Sequence, residues 1–355
     1  MKTVDFIIVG QGLAGTLLAH DLIAKKQSVV IIDKSLKGAA SKVAAGIINP
    51  VGMKRCTPSY NADQFLPIAF SRYFQLQKLL KVNFFNTVPI LRLFANQEVN
   101  HQWQIKYSNT NMERYISQLL APNTFPFLHD NYGSACVEPS ARLDIPVFLE
   151  ASRLYFKKHQ TVLQERFDFN FLELNPLSYK GYQAKKVIFC EGYRVKDNPY
   201  FSKLPLTPTK GEVMTIKVPE LEEFSKIISK AVYILPKGNH LFMVGSTYHH
   251  TDLSDTITDE GKEFLIDKTK DILRLDFEVV SIFSGVRPTV KDRKNLIGLH
   301  PIHSSIGVFN GLGTRGALQG PLLSHDFSTF LTQSNKNTQS SEYQRLARFL
   351  KPNSV

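Results

Sequence analysis

The sequence has little cysteine and no long apolar run. Its three cysteines, Cys56, Cys136 and Cys190, are an odd number and lack the spacing of metal ligands. They argue against the disulfide framework of a secreted protein and favour a reducing compartment. No apolar run approaches the roughly 18 residues that a membrane-spanning helix needs, and the first strand begins too early to leave room for a signal peptide. We therefore expect a cytoplasmic protein with no membrane span.

Other features that the sequence lacks limit the kinds of catalysis that we expect. The sequence contains no internal repeat, no serine or cysteine nucleophile motif and no convincing acid–base pair. His249 and His250 are adjacent, so in an extended chain they point to opposite faces, and no acidic or cysteine partner is obvious. We expect no metal site. Catalysis by a covalent nucleophile or a metal ion is accordingly disfavoured.

The composition of the 355-residue chain is that of a large folded protein. Hydrophobic residues make up 43% of it, and the length suggests two domains or one domain with a substantial insertion. Its formal net charge is +12. This excess favours encounter with phosphates or acidic substrates, or it simply forms a solvated basic surface.

The N-terminal stretch predicts a dinucleotide-binding βαβ unit. Four apolar residues from Phe6 to Val9 form a buried strand, and Gly10, Gly12 and Gly15 follow with G-x-G-x-x-G spacing. Such a turn approaches a pyrophosphate closely, and the N-terminus of the next helix favours its negative charge. A second strand, from Ser28 to Asp33, ends in an acid placed to bind a ribose hydroxyl. NAD and FAD share this turn, so the motif alone does not choose between them.

The segment after this unit, residues 34–50, is rich in small side chains. Small residues in a long connection permit close approach to a bulky flat ligand, and they equally suit a flexible surface loop. The residues alone leave both interpretations open.

Hydrophobic periodicity predicts the remaining elements. Predicted helices are residues 13–24, 63–81, 112–120, 143–159 and 259–273. Predicted strands are residues 88–94, 186–190, 212–218, 232–235, 241–246 and 277–284. The turn at 236–239 between two strands is a hairpin signature. The second half should therefore form an antiparallel sheet with a helical cover.

Several later motifs, in fixed order, resemble the D-amino-acid oxidase and glycine oxidase superfamily of flavoproteins. They are Pro205-Leu-x-Pro-x-Lys-Gly-Glu212, Tyr233-Ile-Leu-Pro, Val244-Gly-Ser-Thr, Gly285-Val-Arg-Pro and Gly311-Leu-Gly-Thr-Arg-Gly. Together with the N-terminal unit they cover nearly the whole chain, and the resemblance is poorest from about residue 60 to 130. The Gly311 motif and Gly245-Ser-Thr-Tyr-His also resemble the FAD domain of the bifunctional enzyme that trims carboxymethylaminomethyl groups on tRNA wobble uridine.

The resemblance implies an α/β fold of two domains. A Rossmann-like FAD-binding domain would comprise residues 1–60, 131–204 and 285–355. An α+β substrate domain with a mainly antiparallel sheet would comprise residues 61–130 and 205–284. The second domain would thus be inserted into the first.

The resemblance also implies non-covalent FAD. No cysteine lies between residues 285 and 320, where some sarcosine-oxidase relatives attach their flavin. Asp33 departs from the family, which more often has Glu, although a shorter acid can still reach the ribose. The implied cofactor-binding residues are Gly10, Gly12, Leu13, Ala14, Gly15, Asp33, Lys34, Ser41, Ala44, Ala45, Gly46, Gly192, Gly311, Gly313, Thr314, Arg315 and Gly316.

Three residues are candidates for catalysis. Arg287 matches the arginine that pairs with the substrate carboxylate in glycine-oxidase-like members, and guanidinium is suited to bidentate binding of carboxylate. Tyr233 aligns with a substrate-side tyrosine, and Arg315 would add positive charge near the flavin. The alternatives are a surface salt bridge for Arg287, a core tyrosine for Tyr233 and a solvent-facing helix-start arginine for Arg315.

The implied activity is oxidation of the C–N bond of a small carboxylated amine or amino acid. Hydride passes to flavin N5, the imine is hydrolysed, and oxygen is the expected electron acceptor. One alternative is FAD-dependent trimming of carboxymethylaminomethyluridine in tRNA, which the basic charge supports weakly and the missing methyltransferase domain disfavours. A second is a non-catalytic FAD-binding protein, in which Arg287 would form an internal ion pair.

Overall fold

The computed structural model describes residues 1–35, 38–109, 111–221, 224–333 and 345–350. The α-helices within these ranges are α1 (Leu13–Ala24), α2 (Ala40–Val43), α3 (Ala62–Leu80), α4 (Gln97–Asn109), α5 (Ile145–His159), α6 (Asp259–Lys270), α7 (Gly316–Thr332) and α8 (Ala347–Leu350). None of these described helices is long and apolar enough to cross a bilayer.

The strands follow the chain in this order: β1 (Lys2–Val9), β2 (Val29–Ile32), β3 (Ile47–Ile48), β4 (Val51–Gly52), β5 (Thr57–Pro58), β6 (Phe85–Thr87), β7 (Ile90–Leu93), β8 (Ile116–Leu120), β9 (Ser134–Val137), β10 (Ala141–Leu143), β11 (Thr161–Leu163), β12 (Leu172–Leu174), β13 (Leu177–Tyr179), β14 (Tyr182–Phe189), β15 (Thr209–Lys217), β16 (Ile227–Ser229), β17 (Tyr233–Gly238), β18 (Leu241–Gly245), β19 (Glu278–Arg287), β20 (Leu296–Leu299) and β21 (Ile306–Asn310).

The first large sheet has a parallel core in the order β11-β2-β1-β14-β21, with β12, β13 and β20 added in antiparallel pairings. Its centre is apolar because both faces are buried. Helices α1, α5 and α7 pack on the face of Ile8, which lies in register between the buried Ile31 and Ile188, and the opposite face packs against residues 167–206 and α8. The carboxyl ends of β1, β2 and β14 therefore meet at one edge, where ligands of doubly wound sheets bind.

The second large sheet has the order β19-β15-β18-β17-β16-β7-β9-β8. Every pair in it is antiparallel except β16 with β7. Helix α6 covers one face and buries Leu265 against it. The predicted α/β fold with a second, mainly antiparallel sheet is confirmed.

Three helices are joined by a buried ionic contact. Asp21 of α1 accepts a hydrogen bond from Arg72 of α3 at 2.5 Å and another from the Ser324 hydroxyl of α7. Burial raises the pKa of Asp21, although Arg72 acts in the opposite direction. Because α1 and α7 are held side by side, their N-termini point to the same region.

Most predicted elements are confirmed within a few residues, but the helix predicted over 112–120 is wrong. A short 3-10 turn at Asn111–Arg114 leads into strand β8, which pairs with β9. Because β9 follows β8 only after a long connection, the pairing that makes β8 a strand cannot be seen in the local periodicity of its apolar residues.

Two strands lie across the domain boundaries that the sequence predicts. Strand β9 belongs to the second sheet, although residue 131 was the predicted return to the FAD domain. Strand β19 continues without a break across the predicted boundary at residue 285. The division of the chain into two domains stays a prediction, with these strands assigned to the antiparallel sheet.

Candidate active site

The glycine-rich turn is tight because backbone groups occupy the space of its missing side chains. Gly10 has φ +100°, and a methyl group there would overlap the carbonyl oxygen of Cys190. At Gly15 a methyl group would overlap the Gly10 carbonyl oxygen, so α1 lies directly against the turn. Helix α1 begins at Leu13 after Gly12, and its first amides lack helical acceptors. The predicted anion-binding turn is therefore present in the geometry.

A cavity of about 1000 Å³ extends from this turn to the second sheet. This is the upper end of the range for ligand pockets, as a dinucleotide requires. The predicted residues that line it are Gly10, Gly12, Leu13, Ala14, Asp33, Lys34, Ser41, Ala44, Ala45, Gly46, Gly192, Tyr233, Arg287, Gly313, Thr314, Arg315 and Gly316.

Gly15 and Gly311 differ from the other predicted residues because they do not line the cavity. Gly15 supports the turn from behind, as its overlap with Gly10 indicates. Gly311 has φ +76° and lies against Val290 and Leu296. Both shape the site through backbone packing, and their assignment to cofactor binding stays a prediction.

Asp33 ends β2 at the cavity wall. Its Oδ1 accepts from the Gln11 amide at 3.0 Å, and its Oδ2 accepts from the Ser35 amide at 2.8 Å. Arg153 of α5 donates to the same Oδ2 at 2.6 Å. A carboxylate has about four acceptor positions, so three protein donors leave it capacity for one ribose hydroxyl.

A second helix N-terminus faces the cavity, as the sequence predicts. The turn before α7 contains Gly313 at φ +54°, and Asn310 fixes its start by accepting from the Gly311 amide at 2.7 Å and donating to the Gly192 carbonyl at 2.8 Å. Arg315 lies at the cap of α7 and is exposed at the cavity.

Glu191 is an ionisable residue of the cavity wall with a strongly shifted pKa. Burial raises the pKa of the Glu191 carboxyl to about 7, even though Asn198 donates a hydrogen bond to it at 2.7 Å. Glu191 lies directly after Cys190, two residues beyond the end of strand β14. It lies at the dinucleotide end of the cavity, away from Arg287, and we assign it no catalytic step.

Arg287 ends β19 at the other end of the cavity. Its Nη2 donates to the Ser246 hydroxyl at 2.7 Å, and its Nη1 lies 3.5 Å from the carbonyls of Lys210 and Thr247. The Tyr248 ring lies against the guanidinium, with 4.6 Å from Cζ to the ring centroid. All of these partners are neutral groups.

No carboxylate among the described residues forms an ion pair with Arg287. The guanidinium also packs against Gly211, where any side chain would overlap it. A half-buried cation without a counter-ion, held by neutral acceptors beside an open cavity, is a ready receptor for an anion.

Tyr233 lies beside this arginine. Burial raises the pKa of its hydroxyl, and the nearby Arg287 only partly opposes that rise. The hydroxyl lies against Gly245, where a side chain would overlap it. Tyr233 is therefore neutral at any physiological pH and can act as a hydrogen-bonding group or an aromatic wall.

Behind Arg287 lies a buried ionic cluster. Lys210 and Glu212 have no exposed surface, and their charged atoms are 3.7 Å apart. Lys210 Nζ also lies 2.5 Å from an Asp252 carboxylate oxygen and 2.5 Å from the Thr256 carbonyl oxygen. Glu212 accepts from the Thr258 amide at 2.8 Å. The cluster fastens the segment after β18 onto β15.

Sequence reasoning assigned no role to several residues that the structure brings to the site. These are Arg153, Lys210, Glu212, Ser246 and Tyr248. The positions of Lys210 and Glu212 could have indicated a role. Residues two apart in a strand lie on the same face, and two opposite charges on one face of an apolar strand either form an ion pair or stay exposed to solvent. Arg153 carried no such signal, since only the packing of α5 brings it to Asp33.

The two helix N-termini, the glycine turn and the long cavity together define a dinucleotide-binding protein. The family model for FAD dependent oxidoreductases matches residues 5–328 of this chain. The chain belongs to that family, and its cofactor is FAD. Its fold and glycine-lined cavity fit this cofactor.

Three relatives illustrate the similarity. Glycine oxidase of Pseudomonas aeruginosa is 22% identical, with 89% of this chain and 91% of that protein covered. The tRNA 5-methylaminomethyl-2-thiouridine biosynthesis bifunctional protein MnmC of Marinobacter nauticus is 21% identical over 90% of this chain but only 54% of its own length. The crystal structure of Bacillus cereus glycine oxidase superposes with a TM-score of 0.80 at 19% identity, covering 99% of both chains.

Proposed function

We propose that this protein oxidises the C–N bond of a small carboxylated amine or amino acid. Bound FAD supplies the hydride acceptor, at N5. The substrate carbon next to nitrogen loses hydride, the nitrogen lone pair forms the C=N bond, and water hydrolyses the imine to an oxo acid and an amine. Oxygen as the final acceptor would yield hydrogen peroxide.

The environment of Arg287 is the observation that carries this proposal. Its charge has no counter-ion among the described residues, its neighbours are neutral, and it lines the cavity. A substrate carboxylate would complete the missing pair through charge-assisted hydrogen bonds. The glycine oxidase relatives act, by their names, on a molecule in which an amine and a carboxylate share one carbon, which supports the same class of substrate.

The chain's own residues supply binding and orientation. Arg287 holds the carboxylate, Tyr233 limits the space beside it, and the N-terminus of α7 places backbone donors toward the cavity. If the amine binds deprotonated, no protein base is needed, which suits a sequence without a convincing acid–base pair. Catalysis then depends on orientation and on stabilisation of charge by fixed donors.

Product analysis tests the reaction type. FAD-loaded protein should be incubated in air with glycine, N-methylglycine, proline and D-amino acids. We expect at least one of these to yield oxo acid and hydrogen peroxide in equal amounts, with an equal amount of ammonia or amine from every substrate except proline, whose hydrolysed imine keeps both groups in one molecule. Oxo acid without peroxide would identify a dehydrogenase with another acceptor, and absence of oxo acid from every amine would contradict the proposal.

Hypomodified tRNA is the second candidate substrate. The net charge of +12 and the similarity to MnmC favour it, and a carboxymethylamino group would present to Arg287 the same carboxylate. This chain spans about half of that bifunctional relative, and the free amine is the simpler ligand for the site. Trimming of tRNA is therefore the alternative proposal.

Salt dependence distinguishes the two substrates. Contacts of lysines and arginines with tRNA phosphates release the counterions of those phosphates. Binding of tRNA, and with it flavin reduction, should therefore weaken steeply as salt rises, with a slope of several units in a plot of the logarithm of the binding constant against the logarithm of the salt concentration. A small amine has no such slope. We expect reduction by a small carboxylated amine that is nearly independent of salt; micromolar tRNA that reduces the flavin while millimolar amines do not would promote the alternative.

The cofactor should be held without a covalent bond. The described cysteines, Cys56, Cys136 and Cys190, are buried, and none lies in residues 285–320. Acid precipitation should therefore leave the yellow colour in the supernatant. Colour that stays with the precipitated protein would contradict this prediction.

A further inference from the structure

Glu191 brings a carboxyl group next to the glycine-rich turn. A methyl group at Gly10 would lie 3.6 Å from the Cα atom of Glu191, so the two backbones are in direct contact. The glutamate lines the cavity, and its side chain is half-buried. An acidic residue therefore lies beside the turn that holds a negatively charged pyrophosphate.

Asn198 fixes the orientation of this carboxyl group. Its side-chain oxygen accepts from the Tyr200 amide at 2.9 Å, so its side-chain nitrogen faces Glu191 and donates to Oε2 at 2.7 Å. Asn198 is fully buried. Because Oε2 accepts this hydrogen bond, the proton of a neutral carboxyl group lies on the other oxygen, Oε1. Within the described parts of the chain, Oε1 has no hydrogen-bond partner, and it keeps exposed surface beside the cavity.

The surroundings of Glu191 favour its neutral form. Burial raises the pKa of this carboxyl to about 7 and outweighs the Asn198 hydrogen bond, which lowers it. Asp197 raises the pKa further, and Arg166 lowers it. No lysine or arginine among the described residues forms an ion pair with Glu191. Near neutral pH the group can therefore gain or lose its proton.

The other charged groups around Glu191 come from its own segment and from the one after β11. Arg166 belongs to the latter, and Asp197 lies 3.9 Å from Arg194 in the 3-10 turn that follows Glu191. The preceding Cys190 thiol is buried, and its pKa is raised. Residues 10–12 of the glycine-rich turn carry no ionisable side chain, so nothing in the turn itself offsets a charge on Glu191.

We propose that Glu191 is a cofactor-binding residue that holds FAD in its protonated form, with Oε1–H donating a hydrogen bond to a cofactor oxygen beside the Gly10 turn. An ionised Glu191 would instead present an unpaired negative charge, and no donor, to the pyrophosphate. FAD binding to the ionised protein is therefore accompanied by uptake of one proton. The inference concerns retention of the cofactor and is independent of the substrate that the flavin oxidises.

The linkage between proton and cofactor gives the direction of the pH effect. Below about pH 7 Glu191 is protonated with or without FAD, so the Kd for FAD is constant. Above this pH the free protein loses a proton that the loaded protein keeps. The Kd should then rise by up to about tenfold for each pH unit.

Release of FAD from the loaded protein measures this Kd. The holoprotein should be diluted serially at pH values between about 6 and 9, and the free FAD should be determined by its fluorescence after ultrafiltration. We expect the wild-type Kd to rise on the order of 10- to 100-fold between about pH 7 and pH 9. Glu191→Gln keeps the shape and a donor but does not titrate, so its Kd should stay low across this range.

Two further variants separate the proton from the hydrogen bond. Glu191→Ala has neither charge nor donor, so its Kd should not change with pH and should be roughly 2- to 10-fold above that of Glu191→Gln at about pH 6. Glu165→Gln alters another glutamate of the cavity wall, which pairs with Lys180 at 2.9 Å. This matched control should keep the wild-type pH dependence.

The outcome is decided by the wild-type curve and by the variants at Glu191. A wild-type Kd that stays constant or falls as pH rises would overturn the inference, and so would an equal rise in Glu191→Gln. If Glu191→Gln does not fold, Glu191→Ala decides in the same way, because it also lacks the titrating group. Failure of every amine to reduce the flavin would contradict the proposed function and leave this test of FAD binding unaffected.

Discussion

Arg287→Met should lower kcat/KM for a carboxylated amine by roughly 30- to 1,000-fold while FAD stays bound. The substitution keeps an unbranched side chain but removes the donors that face the cavity. Losing a charge-assisted bidentate contact costs about 2–4 kcal/mol in transition-state binding, which is the source of this range. The measurement is kcat/KM at saturating FAD, with flavin content checked by absorbance.

A matched control separates this effect from general loss of positive charge. Arg274→Met removes an exposed arginine whose guanidinium donates only to the Asn131 side chain among the described residues, so its kcat/KM should stay near the wild-type value. An Arg287→Met enzyme with undiminished kcat/KM would remove Arg287 from the substrate site. Loss of FAD in that variant would instead assign the arginine to the cofactor or to folding.

Lys210→Met should destabilise the protein by about 3–5 kcal/mol. Lys210 is fully buried, and its removal leaves the buried Glu212 carboxylate without the lysine 3.7 Å away and Asp252 without its partner. Leaving one buried charge without its partner costs far more free energy of folding than the intact ion pair contributes. The free energy of unfolding should be measured by denaturant titration with free FAD held constant.

Second-site replacement distinguishes the charge effect from lost packing. Lys210→Met combined with Glu212→Gln leaves no unpaired carboxylate at Glu212 and should recover a substantial part of the stability. Lys268→Met removes an exposed ion pair with Asp271 and should cost much less stability than Lys210→Met. If Lys210→Met costs no more than Lys268→Met, the buried cluster does not hold the segment after β18.

The dinucleotide unit was predictable because its signals are local. Its signals all lie within the first 33 residues: the apolar strand, the glycines from Gly10 to Gly15 and the acid at Asp33. Their order and spacing along the chain support one another. Helix α5 was predictable for the same reason: Asp144 caps it by accepting from the Val147 amide at 3.3 Å, and Pro146 fits its first turn.

The remaining features depend on distant partners. Strand β8 is a strand because β9 pairs with it, and Arg153 reaches Asp33 only through the packing of α5. Tyr248 faces Arg287 because hydrogen bonds to β15 fix its neighbours. Motif resemblance supplied the candidate role of Arg287, but only the structure gives its neutral surroundings.

Anaerobic mixing tests the central proposal most directly. FAD-loaded wild-type protein should be mixed, without any electron acceptor, with small carboxylated amines at millimolar concentration, and the oxidised-flavin absorbance should be followed. We predict that at least one amine bleaches the flavin and that Arg287→Met bleaches far more slowly at the same concentration. Flavin that stays oxidised with every carboxylated amine, or equal rates in the two proteins, would contradict the proposed function.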